Sequence, residues 1–413
     1  MQRSLQVVES RASAVELSSC EARLLNDLGR ELASKKRFWK SLEDEGDSRS
    51  VIRCVFDGAQ WMLTVYNAVG MIRAGDLQIL VTPKIPMVHF VYLLSACDYI
   101  PRFVRDEVSV AASKDLLALV AHWFMYAADG VLKRDLIRDY VEQLDDLDAA
   151  RGQLDPLATG SQYYAGRLLM NCRFEEFDLD TPLNRLLKAG VRTIASEEHF
   201  SSSLRRSASR TLQRLDSVGT LRSGDLVARS DRRTTHYDDA LMLARLLIAG
   251  QSRGPAFGGS TAWSFLIPTP DAVESAVRAL LAERLQLPCV VTNRGRMLRP
   301  TALTVNPDLV FEPGLAVGDI KYKIDWEEMP RSDLYQAVSF ASAYEMSKAA
   351  LVSFKTTARR PLQDIPFGDV VVQHLCWDAT QGTSPEDAAD RLVRSVQQWL
   401  GIGPGVTVEC AAR

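Results

Sequence analysis

The sequence predicts an α/β protein with an α+β N-terminal part, and three observations carry that expectation. Residues 271–285 (DAVESAVRALLAERL) place apolar side chains at Val273, Val277, Leu280, Leu281 and Leu285, the spacing of an amphipathic helix, and Pro270 opens it. Residues 305–321 hold two short apolar runs around a Gly-containing turn, VNPDLVF and AVGDIK, which reads as a hairpin. A second helix is expected over 333–346 (DLYQAVSFASAYEM), followed by buried strands at 349–354 (AALVSF) and 369–375 (DVVVQHL). Helix, strands, helix, strand is the order of an α/β core.

Upstream of that core the chain opens with a short polar helical lead. Residues 51–81 alternate apolar runs with the turns DGAQ, NAVG and RAGD, which suggests a small β unit. From Met87 to about Leu147 the reading is helical, with Leu116 to Phe124 strongly apolar; most of these side chains are expected to form their own core. The loop-like stretch RGQLDPLATG (151–160) marks a boundary, so residues 1–158 form the first predicted domain. Residues 159–262 form a helical connector. Within it Arg206, Arg210 and Arg214 recur every four residues and line one helix face, and Arg229, Arg232 and Arg233 extend the patch. Such a row can neutralise DNA phosphates; a solvated helix face is the alternative. The glycine-rich loop GQSRGPAFGGS (250–260) leads into the last domain, 263–413.

Composition bounds the function. At 413 residues the chain has room for two or three domains with their own cores. With 49 basic against 52 acidic residues the net charge is -3, so contact with nucleic acid must come from local patches or a partner. Seven cysteines form no CxxC pair and five histidines show no zinc spacing, which fits reduced thiols in a cytoplasmic protein. No stretch approaches roughly 18 unbroken apolar residues, so no membrane is expected. The first residues lack the apolar core of a secretory signal. Without a GxxxxGK[ST] loop, no nucleotide is expected to bind this chain by that route.

The hairpin carries the chemistry. Asp308 sits on its first strand and Asp319 and Lys321 on its second, and the two-residue spacing of Asp319 and Lys321 puts both on one face. Two carboxylates suit a hard divalent cation, Mg²⁺ with Mn²⁺ as an alternative. A lysine beside them can orient an attacking water or neutralise a phosphate. Glu274 could add a third acidic group, or act only as a favourable helix-dipole carboxylate. Gln336, near the start of the 333–346 helix, would point back toward the strand ends. The alternative for the hairpin as a whole is a solvated turn with an Asp-Lys surface pair.

Beyond the hairpin, the chain resembles a known family over most of its length. Pro307-Asp308, Asp319-Ile320-Lys321-Tyr322-Lys323 and Asp333-Leu334-Tyr335-Gln336 look like the PD-(D/E)xK nuclease domain of the McrC family, the nuclease subunits of McrBC-type modified-cytosine restriction systems. Val69-Gly70-Met71-Ile72 with Ile79 to Ile85 (ILVTPKI), then GVLKRDLIRDY (130–140), Arg151-Gly152, CRFEEF (172–177), DTPLNRLLK (180–188) and YDDALMLARLL (237–247) follow the family's blocks in order. The chain departs from the pattern at Gln153, where a second basic residue is usual, and at Val273, where a Phe precedes the helix glutamate.

The resemblance implies a restriction-endonuclease-like core whose site uses Asp308, Asp319, Lys321, Glu274 and Gln336, with metal on Asp308, Asp319 and Glu274. It further implies an N-terminal domain that docks onto a McrB-like AAA+ GTPase hexamer, with Lys84 and Arg151 among the partner contacts, and double-stranded, modified DNA as substrate. Two other readings stay open: a stand-alone nuclease that binds DNA through its own N-terminal domain, and a non-catalytic activator of an AAA+ partner.

Overall fold

The computed structural model describes residues 3–35, 38, 50–101, 115–253, 262–285, 290–298, 304–360 and 362–402. The chain is a mixed α/β protein that divides into two compact units, one made of residues 1–116 and 251–413, the other of residues 117–250.

In the first unit the N-terminal half contributes β1 (Arg3–Val8), β2 (Ser13–Val15), α1 (Ser19–Ala33), β3 (Ile52–Phe56), β4 (Trp61–Val65), β5 (Ala68–Ala74), β6 (Leu77–Thr82) and α2 (Met87–Ala96). The small β unit expected over 51–81 is present as β3 to β6. The polar lead also contains strands, because Leu5 and Val7 of β1 pair in parallel with Ile79 and Val81 of β6. Helix α1 starts on a capping box in which Ser18 and Glu21 satisfy each other's backbone donors.

The second unit holds α3 (Leu116–Lys133), β7 (Asp139–Leu147), β8 (Gln153–Leu154), α4 (Pro156–Tyr164), β9 (Met170–Asp178), α5 (Pro182–Ser196), α6 (Ser202–Arg214) and α7 (Asp238–Gly250). Helix α3 is long and apolar enough to cross a membrane by length and composition, but Leu117, Val120, Ala121, Phe124, Ala128 and Val131 are fully buried. It is a core helix of this unit. The helical expectation to Leu147 fails at β7, which runs antiparallel to β9 over all nine of its residues, Asp139 opposite Asp178 through Leu147 opposite Met170. Cross-strand pairing outweighs the local preference there. Within the expected loop at 151–160, Asp155 caps α4 and Pro156 opens it, while Gly152 adopts φ +68° where a Cβ would strike the Arg173 carbonyl oxygen at 2.3 Å.

Back in the first unit, the chain continues as β10 (Gln251–Arg253), β11 (Ala262–Pro268), α8 (Thr269–Arg284), β12 (Val290–Thr292), β13 (Arg296–Met297), β14 (Thr304–Val305), β15 (Leu309–Glu312), β16 (Ala316–Ile324), α9 (Arg331–Tyr344), β17 (Lys348–Lys355), β18 (Ile365–Phe367), β19 (Val370–Asp378) and α10 (Pro385–Leu400). The loop expected at 250–260 lies outside the described residues from position 254 onward. One sheet has the order β12-β15-β16-β17-β19-β18, antiparallel in the β15/β16 hairpin and parallel from β16 through β17 to β19. Parallel neighbours need a crossover, and α9 supplies the one between β16 and β17. The interior of β17, Ala349 to Phe354, is buried residue by residue, as a parallel strand covered on both faces requires.

The other large sheet of this unit has the order β1-β6-β5-β11-β10. It joins strands from both ends of the sequence, since β5 pairs antiparallel with β11 from Ala68 opposite Pro268 to Ala74 opposite Ala262. Gly70 permits that approach. A Cβ there would lie 2.0 Å from the Phe265 carbonyl oxygen. The boundaries expected at residues 158 and 262 therefore differ from the compact units: β1, β5 and β6 share a sheet with β10 and β11, and Leu266 of β11 packs in the cluster of Leu63, Ile72 and Ile79.

Candidate active site

The β15/β16 hairpin delivers the acidic pair. Asp308 stands just before β15, and Leu309 pairs with Gly318, so Asp308 faces the middle of β16. Its Oδ2 accepts the backbone N–H of Ile320 at 2.9 Å, and its carbonyl oxygen accepts from Arg278 Nη1 at 2.9 Å. Asp319, on β16, is buried at 4% exposure. Lys321 Nζ lies 2.9 Å from Asp319 Oδ2 and donates to Gln336 Oε1 at 3.0 Å. Lys323, two residues on, reaches Asp333 of α9 at 3.0 Å. Alternation along β16 thus turns Lys321 and Lys323 toward α9, while Tyr322 turns away from it. The surface-pair alternative fails on burial, since the side chains of Asp319 and Lys321 are 5% and 13% exposed.

Electrostatics set this pair apart. Burial pushes the Asp308 carboxyl up, and the neighbouring Glu274 charge adds to it; the Ile320 N–H opposes. Asp319 is pushed up to about 7, first by burial and then by the Asp308 charge, with Lys321 pulling the other way. The two carboxyls also act on each other, which opposes the rise at Asp308 and adds to it at Asp319. Two carboxylates so placed share the single counter-charge of Lys321, and a hard cation with oxygen preference would supply more. The donor set therefore fits Mg²⁺ or Mn²⁺. Glu274, half-buried in the second turn of α8, acts on Asp308 through its charge. Among the described residues no three His, Cys, Asp or Glu side chains are gathered as a metal-binding group.

Arg278 is a site residue with no counterpart among those the sequence predicts. It stands four residues after Glu274, on the same face of α8, and that spacing is the signal that could have found it. Of the arginine row, Arg206 and Arg210 are exposed on α6, as is Arg214; the latter donates to the Leu132 carbonyl oxygen at 3.0 Å. Arg232 and Arg233 are also exposed, Arg233 pairing with Asp231 at 3.2 Å. Arg151 lies on the second unit's surface, over the Phe174 ring at 4.1 Å and beside Glu176 at 3.4 Å. Lys84 is half-buried in the first unit, its ammonium directed to the Tyr322 carbonyl oxygen at 3.3 Å.

A family model described as McrBC 5-methylcytosine restriction system component matches residues 63–353, from β4 to β17. The same span contains the acidic hairpin and both helices that face it. Among solved structures, a chain of the refined half-complex from the tetradecameric assembly of Thermococcus gammatolerans McrB AAA+ hexamers with bound McrC is similar at 16% identity and a TM-score of 0.68, covering 96% of this chain and 99% of that one. That likeness is one of fold. A chain of the Thermococcus gammatolerans McrBC complex matches at 16% identity and a TM-score of 0.47, covering 68% of this chain and 88% of that one. No curated protein matches.

Proposed function

The chain belongs to the McrBC family of 5-methylcytosine restriction system components, and on that footing we propose that it is the McrC-like endonuclease subunit, hydrolysing phosphodiester bonds of double-stranded DNA on a PD-(D/E)xK core. The observation that carries the reading is the buried Asp319 beside the half-buried Asp308, with the Lys321 ammonium 2.9 Å from Asp319. Asp308 and Asp319 would hold Mg²⁺, or Mn²⁺ in its place, with Glu274 adding negative charge behind them. A metal bound there supplies Lewis-acid polarisation of the phosphate and a water of lowered pKa.

The chain's own residues do the rest. Lys321 positions the attacking water or offsets charge on the scissile phosphate, as preorganised cations do at transferring phosphoryl groups. Gln336 holds the lysine's ammonium by its Oε1 and limits the positions it can take. Arg278 fixes the Asp308 backbone. Exposed Arg206, Arg210, Arg214, Arg232 and Arg233 would meet DNA phosphates without reading sequence.

The proposed partner is a McrB-like AAA+ GTPase, in line with the McrB AAA+ hexamers with bound McrC of the Thermococcus assembly, with recognition of modified DNA assigned to that partner and the pair acting in the cytoplasm against foreign DNA. Arg151 and the exposed apolar side chains Leu157, Tyr163, Tyr164 and Leu168 offer surface for such docking.

Asp308→Ala tests the reading. Cleavage of DNA by the chain with its GTPase partner, GTP and Mg²⁺ is expected to fall by roughly a thousandfold, with partner binding intact on size-exclusion chromatography; retained Mg²⁺-dependent cutting would sink the assignment. The exposed arginine row favours a second reading, a nuclease that grips DNA by itself. Cutting by the purified chain without partner or GTP would support it.

A further inference from the structure

A buried polar cluster joins the N-terminal strands to the candidate active site, and the cutting chemistry does not use it. Glu9, one residue past β1, is 1% exposed. Its Oε1 accepts the backbone N–H of Lys84 at 3.2 Å and its Oε2 the hydroxyl of Thr269 at 2.6 Å. The Lys84 ammonium donates to the Tyr322 carbonyl oxygen at 3.3 Å and to Asn67 Oδ1 at 3.4 Å, and lies 5.0 Å from the Tyr322 ring centroid. The Thr269 N–H is held by the Asn67 carbonyl at 2.9 Å. Burial pushes the Glu9 carboxyl up while the Lys84 charge and the Thr269 hydroxyl oppose it. Burying charged groups is costly unless they are paired, and the Glu9 carboxylate and the Lys84 ammonium are.

The ends of this cluster fall on two of the elements that deliver acidic side chains, α8 with Glu274 and β16 with Asp319. Thr269 is the first residue of α8, which carries Glu274 and Arg278. Tyr322 adjoins Lys321 and lies three residues beyond Asp319 on β16. The pairing of β16 with β17 is irregular between Ile320 and Ile324, so the neighbouring strand does not hold this stretch in regular register. Lys84 bonds the backbone there instead. Resting on the nuclease reading above, we propose that Glu9 and Lys84 are positioning residues for the cutting site, setting α8 through Thr269 and β16 through the Tyr322 carbonyl.

The full chain with its GTPase partner, GTP, Mg²⁺ and DNA tests this through Lys84→Met and Thr269→Val. Folded variants are expected to lose roughly tenfold to a hundredfold in kcat, the cost of about an ångström of misplacement. KM for DNA should stay within about twofold, since neither side chain touches DNA in this reading. Calorimetric titration of the chain alone with Mn²⁺ should show weakened binding in the same variants, and Thr269→Ser and Lys84→Arg should restore part of both. Unchanged kcat and Mn²⁺ binding in either folded variant would overturn the proposal. So would unfolding of both, which would make the cluster a general structural one. Should the wild-type chain cut nothing, the nuclease reading falls, while the Mn²⁺ titration still decides whether the cluster positions the carboxylates.

Discussion

Two carboxylate sites in this chain, built around the buried Asp225 and the buried Asp319, reach opposite electrostatic states. In the second unit, Asp225 is gripped by Arg185 through two bonds of 2.8 Å, Nε to Oδ2 and Nη2 to Oδ1, and the Arg222 N–H adds a third at 2.7 Å. Its carboxyl is held below the usual range, chiefly by Arg185. In the first unit, Asp308 and Asp319 face one another with a single lysine between them and Gln336, and burial pushes both carboxyls up. The difference is in the donors. A guanidinium fork matches a carboxylate oxygen for oxygen, whereas an ammonium acts as one shared point charge. A fully paired carboxylate stabilises its fold; an under-paired couple is one whose charge a cation would offset.

That contrast can be broken first by stability. Asp225→Ala leaves Arg185 buried with only Asp180, and should cost about 3 kcal/mol in denaturant unfolding. Asp319→Asn should do the reverse in a chelating buffer at pH 8, stabilising by roughly 1 kcal/mol, because it removes a charge that burial disfavours. A destabilised Asp319→Asn chain would place Asp319 with Asp225 as a structural carboxylate.

The pH dependence sharpens the same point. Asp319 titrates at 3.8 when unperturbed and at about 7 in the fold, so between those values the native state binds more protons than the unfolded one. Stability from this group therefore falls as pH rises through that window, and the fall should vanish in Asp319→Asn melts. Metal binding must displace the same proton. Mn²⁺ affinity measured by calorimetry should then climb by roughly tenfold per pH unit below about 7 and level off above it. The smallest effect concerns the second unit's surface: Arg206→Ala with Arg210→Ala should flatten the salt dependence of DNA binding, by roughly 0.9 in logarithmic slope for each phosphate no longer neutralised. An unchanged slope would return the row to an ordinary solvated helix face.

Much of the core was legible because local periodicity reports burial. Helices expected at 271–285 and 333–346 are found at Thr269–Arg284 and Arg331–Tyr344, and the strands expected at 349–354 and 369–375 coincide with Lys348–Lys355 and, from its second residue, Val370–Asp378. Less legible were the elements whose pairing is distant. Strand β7 is half-exposed and acidic, and its partner lies beyond α4, so nothing within its own residues signalled a sheet. The same holds for β1, which gains its neighbours from residues 77–82.

By itself the sequence determined the chemistry available at the hairpin: a backbone of period two puts Asp319 and Lys321 on one face whatever surrounds them, and a turn brings Asp308 opposite. Only the tertiary structure decided that Asp319 is buried with Asp308 and Lys321 half-buried beside it, that Gln336 meets Lys321, and that Lys84 turns inward to the Tyr322 carbonyl. Spacing along a strand is a property of the peptide unit. Desolvation and counter-charge come from segments far apart in the chain, brought together by burial of their shared apolar surface.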